Sequence, residues 1–242
     1  MPFLLVSREL PTYRTNMVFA PLSLLRQRLP HRTTTAHLQT LPLLDFDGEK
    51  SFSITFPDHV LPNNPSAIQT LPPNNEGKTS LFNPPPHYHI VQDEYFRVIS
   101  GQGVWHLWDD TDIVLATGQE IKVPAQKYHW FQNASDTEPF VVGHWYDKER
   151  PVMEELFFRN TLSYFADCID AGLQPSKFQL ALFGWDDLLV FSIVHWKFLP
   201  TTFELVINIA ICGIMAFIGR YLLGYERSYK EYYKPTMKHP KA

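Results

Sequence analysis

From Ser51 to Asp147 apolar and polar residues alternate in short runs: "SFSITF" (51–56), "EYFRVIS" (94–100), "VWHLW" (104–108), "DIVLATG" (112–118), "EIKVP" (120–124) and "FVVGHWY" (140–146). Clusters of Gly, Pro, Asn and Asp separate them. A period of two, rich in β-branched and aromatic residues and punctuated by turn formers, predicts strands and hence an all-β domain over 51–150. Within it, 57–86 is dense in proline and asparagine and is expected to be an extended loop rather than a regular element.

At Pro151 the period changes. "PVMEELFFRNTLSYFADCIDAG" puts proline at a first helical position, two glutamates in the first turn and Gly172 just past the end, so 151–175 reads as a helix. Met153, Leu156, Phe157, Tyr164, Phe165 and Cys168 fall on one face, as a helix packed on the barrel requires. Further on, "LVINIAICGIMAFIGRYLL" (205–223) has only Asn208 and Arg220 as strongly polar members. At helical rise it is about 28 Å long, against about 30 Å for a hydrocarbon core. Residues 176–242 are therefore expected to be a membrane-associated helical region with a basic tail, and 205–223 a transmembrane or membrane-inserted helix. Arg220 would snorkel and the following tyrosines and lysines would sit at the interface. Six Lys/Arg from Arg220 to Lys241 favour a cytosolic tail. A hairpin whose first leg is "LLVFSIVHWKFLPTT" (188–202), capped by Asp186 and Asp187, would keep the barrel cytosolic too; a single-pass anchor is the alternative.

The 242 residues suffice for one packed domain with an appendage. The net charge of −4 is uneven. Residues 1–44 carry five arginines against Glu9, 45–150 carry fifteen acids against seven bases, and 151–242 carry nine of each. The acidic middle argues against a nucleic-acid partner. Cys168 and Cys212 have neither disulfide nor zinc-knuckle spacing, and the chain reads as intracellular. The segment 1–50 reads as an arm against the barrel. Its arginines and lack of acids also suit a mitochondrial transit peptide, but Pro2, Pro11 and Pro21 spoil the helix such a peptide needs and disfavour that reading.

Candidate chemistry sits in "PPPHYHIVQDEYFRVISGQG" (84–103). His87 and His89, two apart on a strand, point to one side, and Glu94 follows within reach of the same interior. His129 arrives from a later strand in "GQEIKVPAQKYHWFQN" (118–133). Three imidazoles and a carboxylate suit one divalent metal among Fe(II), Mn, Ni, Cu and Zn. By parity Phe131 shares the face of His129 while Tyr128 and Trp130 point away. The surrounding aromatic residues favour a planar, polyketide-like substrate.

The spacing of both blocks resembles the cupin motifs: His87, His89, Glu94 and Gly101 in the first, Gly118, Pro124, His129 and Asn133 in the second. Two glycines of the family pattern are replaced, by Leu81 and Gln126. The resemblance implies a jelly-roll barrel with His87, His89, Glu94 and His129 as metal ligands. More loosely, the chain looks like the small cupin oxidoreductases of fungal secondary-metabolite pathways that act on aromatic polyketides. That implies a dioxygenase-like enzyme in which Fe(II) is the leading metal, dioxygen is the co-substrate, and Glu94 is a ligand or the base for a substrate hydroxyl. A redox-neutral isomerase, dehydratase or cyclase and a non-catalytic ligand-binding cupin are the alternatives. Many cupins dimerise through their sheets, so a homodimer is a further expectation.

Overall fold

The computed structural model describes residues 20–44, 51–57, 64–74, 83–147, 151–196 and 198–235. The start of the arm, Leu81, the Met153 side chain and the end of the basic tail lie outside the described residues. The alternating runs form β1 (Thr40–Leu44), β2 (Ser51–Thr55), β3 (Ala67–Leu71), β4 (His87–His89), β5 (Glu94–Ser100), β6 (Gln102–Leu107), β7 (Asp112–Ala116), β8 (Glu120–Val123), β9 (His129–Asn133) and β10 (Phe140–Tyr146). A short β11 (Leu189–Phe191) comes from the C-terminal region. One antiparallel sheet runs β1-β2-β3-β10-β5-β8 and the other β11-β4-β9-β6-β7, a two-sheet sandwich of the jelly-roll kind.

Alternation places one row of each strand inside. On β5, Glu94, Phe96 and Val98 are buried, and on β9 His129, Phe131 and Asn133 are, with Tyr128 and Trp130 on the other parity. Phe96, Trp105 and Phe131 meet with centroids 5.2 to 5.5 Å apart and, with Phe140 and Val142, fill the space between the sheets. Gly101 makes the β5–β6 turn at φ +81°, and a Cβ there would stand 2.6 Å from the Pro139 carbonyl oxygen. Both facts require glycine.

Three helices follow, α1 (Pro151–Asp170), α2 (Lys177–Asp186) and α3 (Thr201–Phe217), the last running into a π turn over Ile218–Leu222. Gly172, at φ +64°, ends α1 in a Schellman motif, with Leu173 N–H on the Cys168 carbonyl and Gly172 N–H on that of Ile169. The helix has two apolar faces where the sequence suggested one. Phe158, Leu162, Phe165 and Ile169 pack on the barrel core, while Phe157, Tyr164 and Cys168 join Phe183, Tyr229 and Tyr232 in a second core. A helix buried between two layers needs both. Both cysteines are free and buried.

Four expectations are corrected. The first sheet begins at Thr40, inside the segment read as an arm, because "TLPLL" pairs in register with β2. The proline-rich stretch 57–86 contains β3, since "AIQTL" alternates and carries no proline. The described part of the arm lies on the C-terminal segment and α1: Thr35 and Ala36 N–H donate to the Glu231 carbonyl, Leu22 N–H to that of Leu222, and Thr33 N–H to the Asp167 carboxylate. Finally, the described residues of 188–200 form no helical leg. Leu189–Phe191 is a strand on β4, Asp186 ends α2 in a bidentate contact with Arg227, and Asp187 is the cap after it.

By length and composition, Thr201–Leu222 is apolar enough to cross a membrane. Its inner face packs on α2 and the loop before it. There Glu204 and Asn208 are buried, and Asn208 accepts the backbone N–H groups of Ile193 and Val194 at 2.9 Å. Its outer face exposes Phe203, Val206, Ile214 and Phe217. Arg220 is tied to Glu226 and to the Tyr225 carbonyl.

Candidate metal centre

His87 and His89 sit on β4, and His129 reaches the same level from β9, paired directly with His87. Glu94 comes from β5 in the opposite sheet, so the four side chains converge across the sandwich. All four are buried, and one ligand-type atom from each falls within 4.8 Å of the others. The four residues singled out from the sequence are thus together.

The donor geometry is specific. The Nε2 atoms of His129, His89 and His87 lie 2.8, 3.2 and 3.9 Å from a single oxygen, Glu94 Oε2. His87 Nδ1 donates to the Pro85 carbonyl at 2.8 Å and His129 Nδ1 to that of Lys127 at 3.0 Å. Those bonds hold the proton on Nδ1 and turn the Nε2 lone pair inward. His89 approaches Glu94 too obliquely for a hydrogen bond, and neither of its nitrogens has one. Burial, then the neighbouring imidazoles of His129 and His89, push His87 well below the usual histidine range, so its ring stays neutral. Burial opposes ionisation of Glu94, but His89 and His129 outweigh it and hold the carboxyl well below its ordinary value. A metal ion in place of the Nε2 protons would take up the imidazole lone pairs and the carboxylate together. Three imidazoles and a carboxylate fit a divalent transition metal.

Beside the cluster opens a cavity of about 150 Å³, the scale that takes up a single-ring ligand. Its walls are mainly apolar, with Leu43 and Phe52 from the barrel edge, Phe157, Phe158 and Leu162 from α1, and Leu189 and Phe191 from β11. The region after the barrel, α1, α2 and β11, therefore builds one side of the cavity. Tyr146, the register partner of Glu94, lies with its ring 4.9 Å from that of His89. Burial, then the carboxylates of Asp187 and Glu94, push its phenol well up, so it stays protonated and can donate a hydrogen bond. Sequence reasoning missed Tyr146, and the signal was its inward parity on β10.

The family glycine replaced by Gln126 has a visible consequence. Gln126 adopts φ +66°, donates its N–H to the His89 carbonyl at 2.7 Å and its side-chain amide to that of Ile90 at 3.2 Å. A left-handed non-glycine residue costs about 1–2 kcal/mol, partly offset by glycine's larger unfolded-state entropy. Gln126→Gly is therefore expected to raise stability by about 0.5–1 kcal/mol. A urea midpoint that rises with an unchanged slope checks it.

A family model described as a cupin domain matches residues 68–146. The chain is 34% identical over 163 residues to probable oxidoreductase virH of Hypocrea virens, spanning 65% of this chain and 71% of that protein. It is 31% identical over 156 residues to oxidoreductase iacF of Pestalotiopsis fici, spanning 62% and 74%. Among solved structures, KdgF from Halomonas sp. aligns at TM-score 0.32 and 15% identity over 42% of this chain and 83% of that one. The capsular polysaccharide assembling protein CapF from Staphylococcus aureus aligns at TM-score 0.33 and 19% identity over 46% of this chain and 31% of that one.

Proposed function

The chain belongs to the cupin family, and on that premise we propose that it is a metal-dependent oxidoreductase, of the dioxygenase type, for a small aromatic or polyketide-type metabolite of fungal secondary metabolism. The observation that carries the reading is the convergence of three imidazoles on one Glu94 oxygen at the wall of an apolar, ring-sized cavity. His87, His89, Glu94 and His129 would hold the metal, with Fe(II) the first choice. When bound, such an ion supplies the redox and Lewis-acid chemistry that dioxygen and an enolic or phenolic substrate require.

The protein's own groups do the rest. Phe131, Phe157 and Phe158 bury the ring and exclude water. Glu94 would act as a ligand or, off the metal, as the base for a substrate hydroxyl, and the protonated Tyr146 phenol would donate a hydrogen bond to the substrate oxygen. Elemental analysis of the purified protein, paired with oxygen uptake on phenolic polyketides, tests the proposal. Near one iron per chain with substrate-dependent uptake is the expected result. A folded protein without metal overturns it, and stoichiometric zinc without oxygen uptake moves the reading to a redox-neutral isomerase.

The proposal extends to the membrane. A spanning α3 would have to leave its partners and carry Glu204 and Asn208 into lipid, whereas its outer face is already apolar: Phe203 is 63% and Phe217 57% exposed, and Trp196 stacks on Phe198 at 5.7 Å just before the helix. A helix lying along the interface keeps the inner contacts and buries the outer face. A Phe203→Asp, Phe217→Asp double variant is expected to lose at least about tenfold in vesicle binding, since each phenylalanine buries about 2 kcal/mol of transfer free energy. Unchanged co-sedimentation with phosphatidylcholine–phosphatidylserine vesicles would exclude this face.

A further inference from the structure

The cavity contains a second set of polar groups that the metal cluster does not use. Gln69, on β3, is buried and lines it. β3 is two strands from β5, about 10 Å across the sheet from the row that carries Glu94. Along β10, Glu94 pairs with Tyr146 and Gln69 with Val142, which separates the two by a further four residues. Gln69 and Glu94 nonetheless line the same cavity. Thr161, on α1, also lines the cavity, and its Oγ1 is buried with no hydrogen-bond partner. An unsatisfied buried hydroxyl costs about 1–3 kcal/mol, which a ligand oxygen would recover.

Gln69 is held by a chain of buried groups. Its amide meets His144 Nε2 at 2.9 Å. His144 Nδ1 lies 2.6 Å from Glu154 Oε1, too oblique for a straight hydrogen bond but close enough to keep the imidazole proton on that nitrogen. Ser66 Oγ donates to the other oxygen of Glu154. Whichever end of the Gln69 amide faces His144, the opposite end is presented elsewhere in a fixed direction. His144 and Glu154 are thus positioning residues.

We propose that Gln69 and Thr161 form a second polar pole of the cavity, which takes a hydroxyl or carbonyl oxygen at the far end of an aromatic substrate whose first oxygen faces the histidines. This rests on the reading of the cavity as an aromatic-substrate site. It narrows the substrate class to single rings oxygenated at two separated positions.

The test is calorimetric binding of phenol, resorcinol and hydroquinone to the full chain loaded with Zn(II), which leaves phenols unoxidised. In the native protein at least one diol should bind about tenfold tighter than phenol, the value of one good hydrogen bond to a buried group. In Gln69→Leu, and separately in the shape-preserving Thr161→Val, that margin should shrink to about twofold with phenol affinity unchanged. In Glu154→Gln, if folded, the diol should lose its margin and phenol should not. The pole is overturned if neither diol exceeds phenol in the native protein, or if Thr161→Val and Gln69→Leu weaken phenol as much as diol. A Glu94→Ala, His129→Ala variant separates the two readings: if it still binds Zn(II), the metal assignment fails, while its diol margin reports on the pole alone.

Discussion

His129→Ala is expected to abolish stoichiometric metal binding and all oxygen uptake while leaving the fold in place. Of the three histidines in the cluster His129 lies nearest to Glu94, at 2.8 Å, and its ring is 4.3 Å from that of His87. Deleting it removes one of the four proposed donors. Loss of an outer partner of a ligand alone costs about 10–100-fold in metal affinity, so loss of the ligand itself should cost more than about 100-fold. The strand survives because β9 is fixed by its backbone pairing with β6 and by Phe131 in the core. Thermal melts with and without added metal give the sharpest reading. At a hundred times the native dissociation constant, the native protein gains about 2.7 kcal/mol from binding and the variant less than about 0.4 kcal/mol. A variant that keeps one metal per chain would remove His129 from the ligand set.

The second large effect lies away from the metal. Glu154→Gln takes the charge from a pair in which His144 is 0% and Glu154 1% exposed. Breaking a buried pair by removing one partner typically costs about 3–5 kcal/mol. The pH dependence gives the sign. Burial disfavours the charged imidazole, but Glu154 overrides it and raises the His144 pKa above its ordinary value. A raised folded-state pKa contributes stability that is fully present below the unfolded value of about 6.5 and is lost as pH rises through the folded value. The destabilisation by Glu154→Gln should therefore be largest at about pH 6 and shrink toward about pH 9. Urea melts of both proteins across that range check it, and a pH-independent difference would mean that the pair acts only through packing.

The readability of this chain in its sequence divides along a physical line. Strand alternation, the turn glycine at 101 and the four ligand-type residues could be read because each is a local pattern: parity on β5 and β9 puts Glu94 and His129 inside whatever else the chain does. What could not be read depends on contacts between distant segments. Phe157 and Phe158 are adjacent on α1 yet serve two cores, which no single helical stripe reports. "LVF" at 189–191 lies in an apolar run that suits a helix, and only the open edge of β4 makes it a strand. Gln69, Thr161 and Tyr146 carry no motif. They matter because three elements bring them to one cavity.

That strand at 189–191 also decides what can be separated from what. The family match ends at residue 146, but the protein truncated there would leave the outer backbone of β4, the strand that bears His87 and His89, with no neighbour. An uncovered strand edge recruits strands from other molecules, so such a fragment would self-associate through the segment that forms its own centre. A change at Leu189–Phe191 therefore acts directly on the strand that bears His87 and His89, and the smallest self-sufficient unit is the barrel together with the C-terminal strand that covers it.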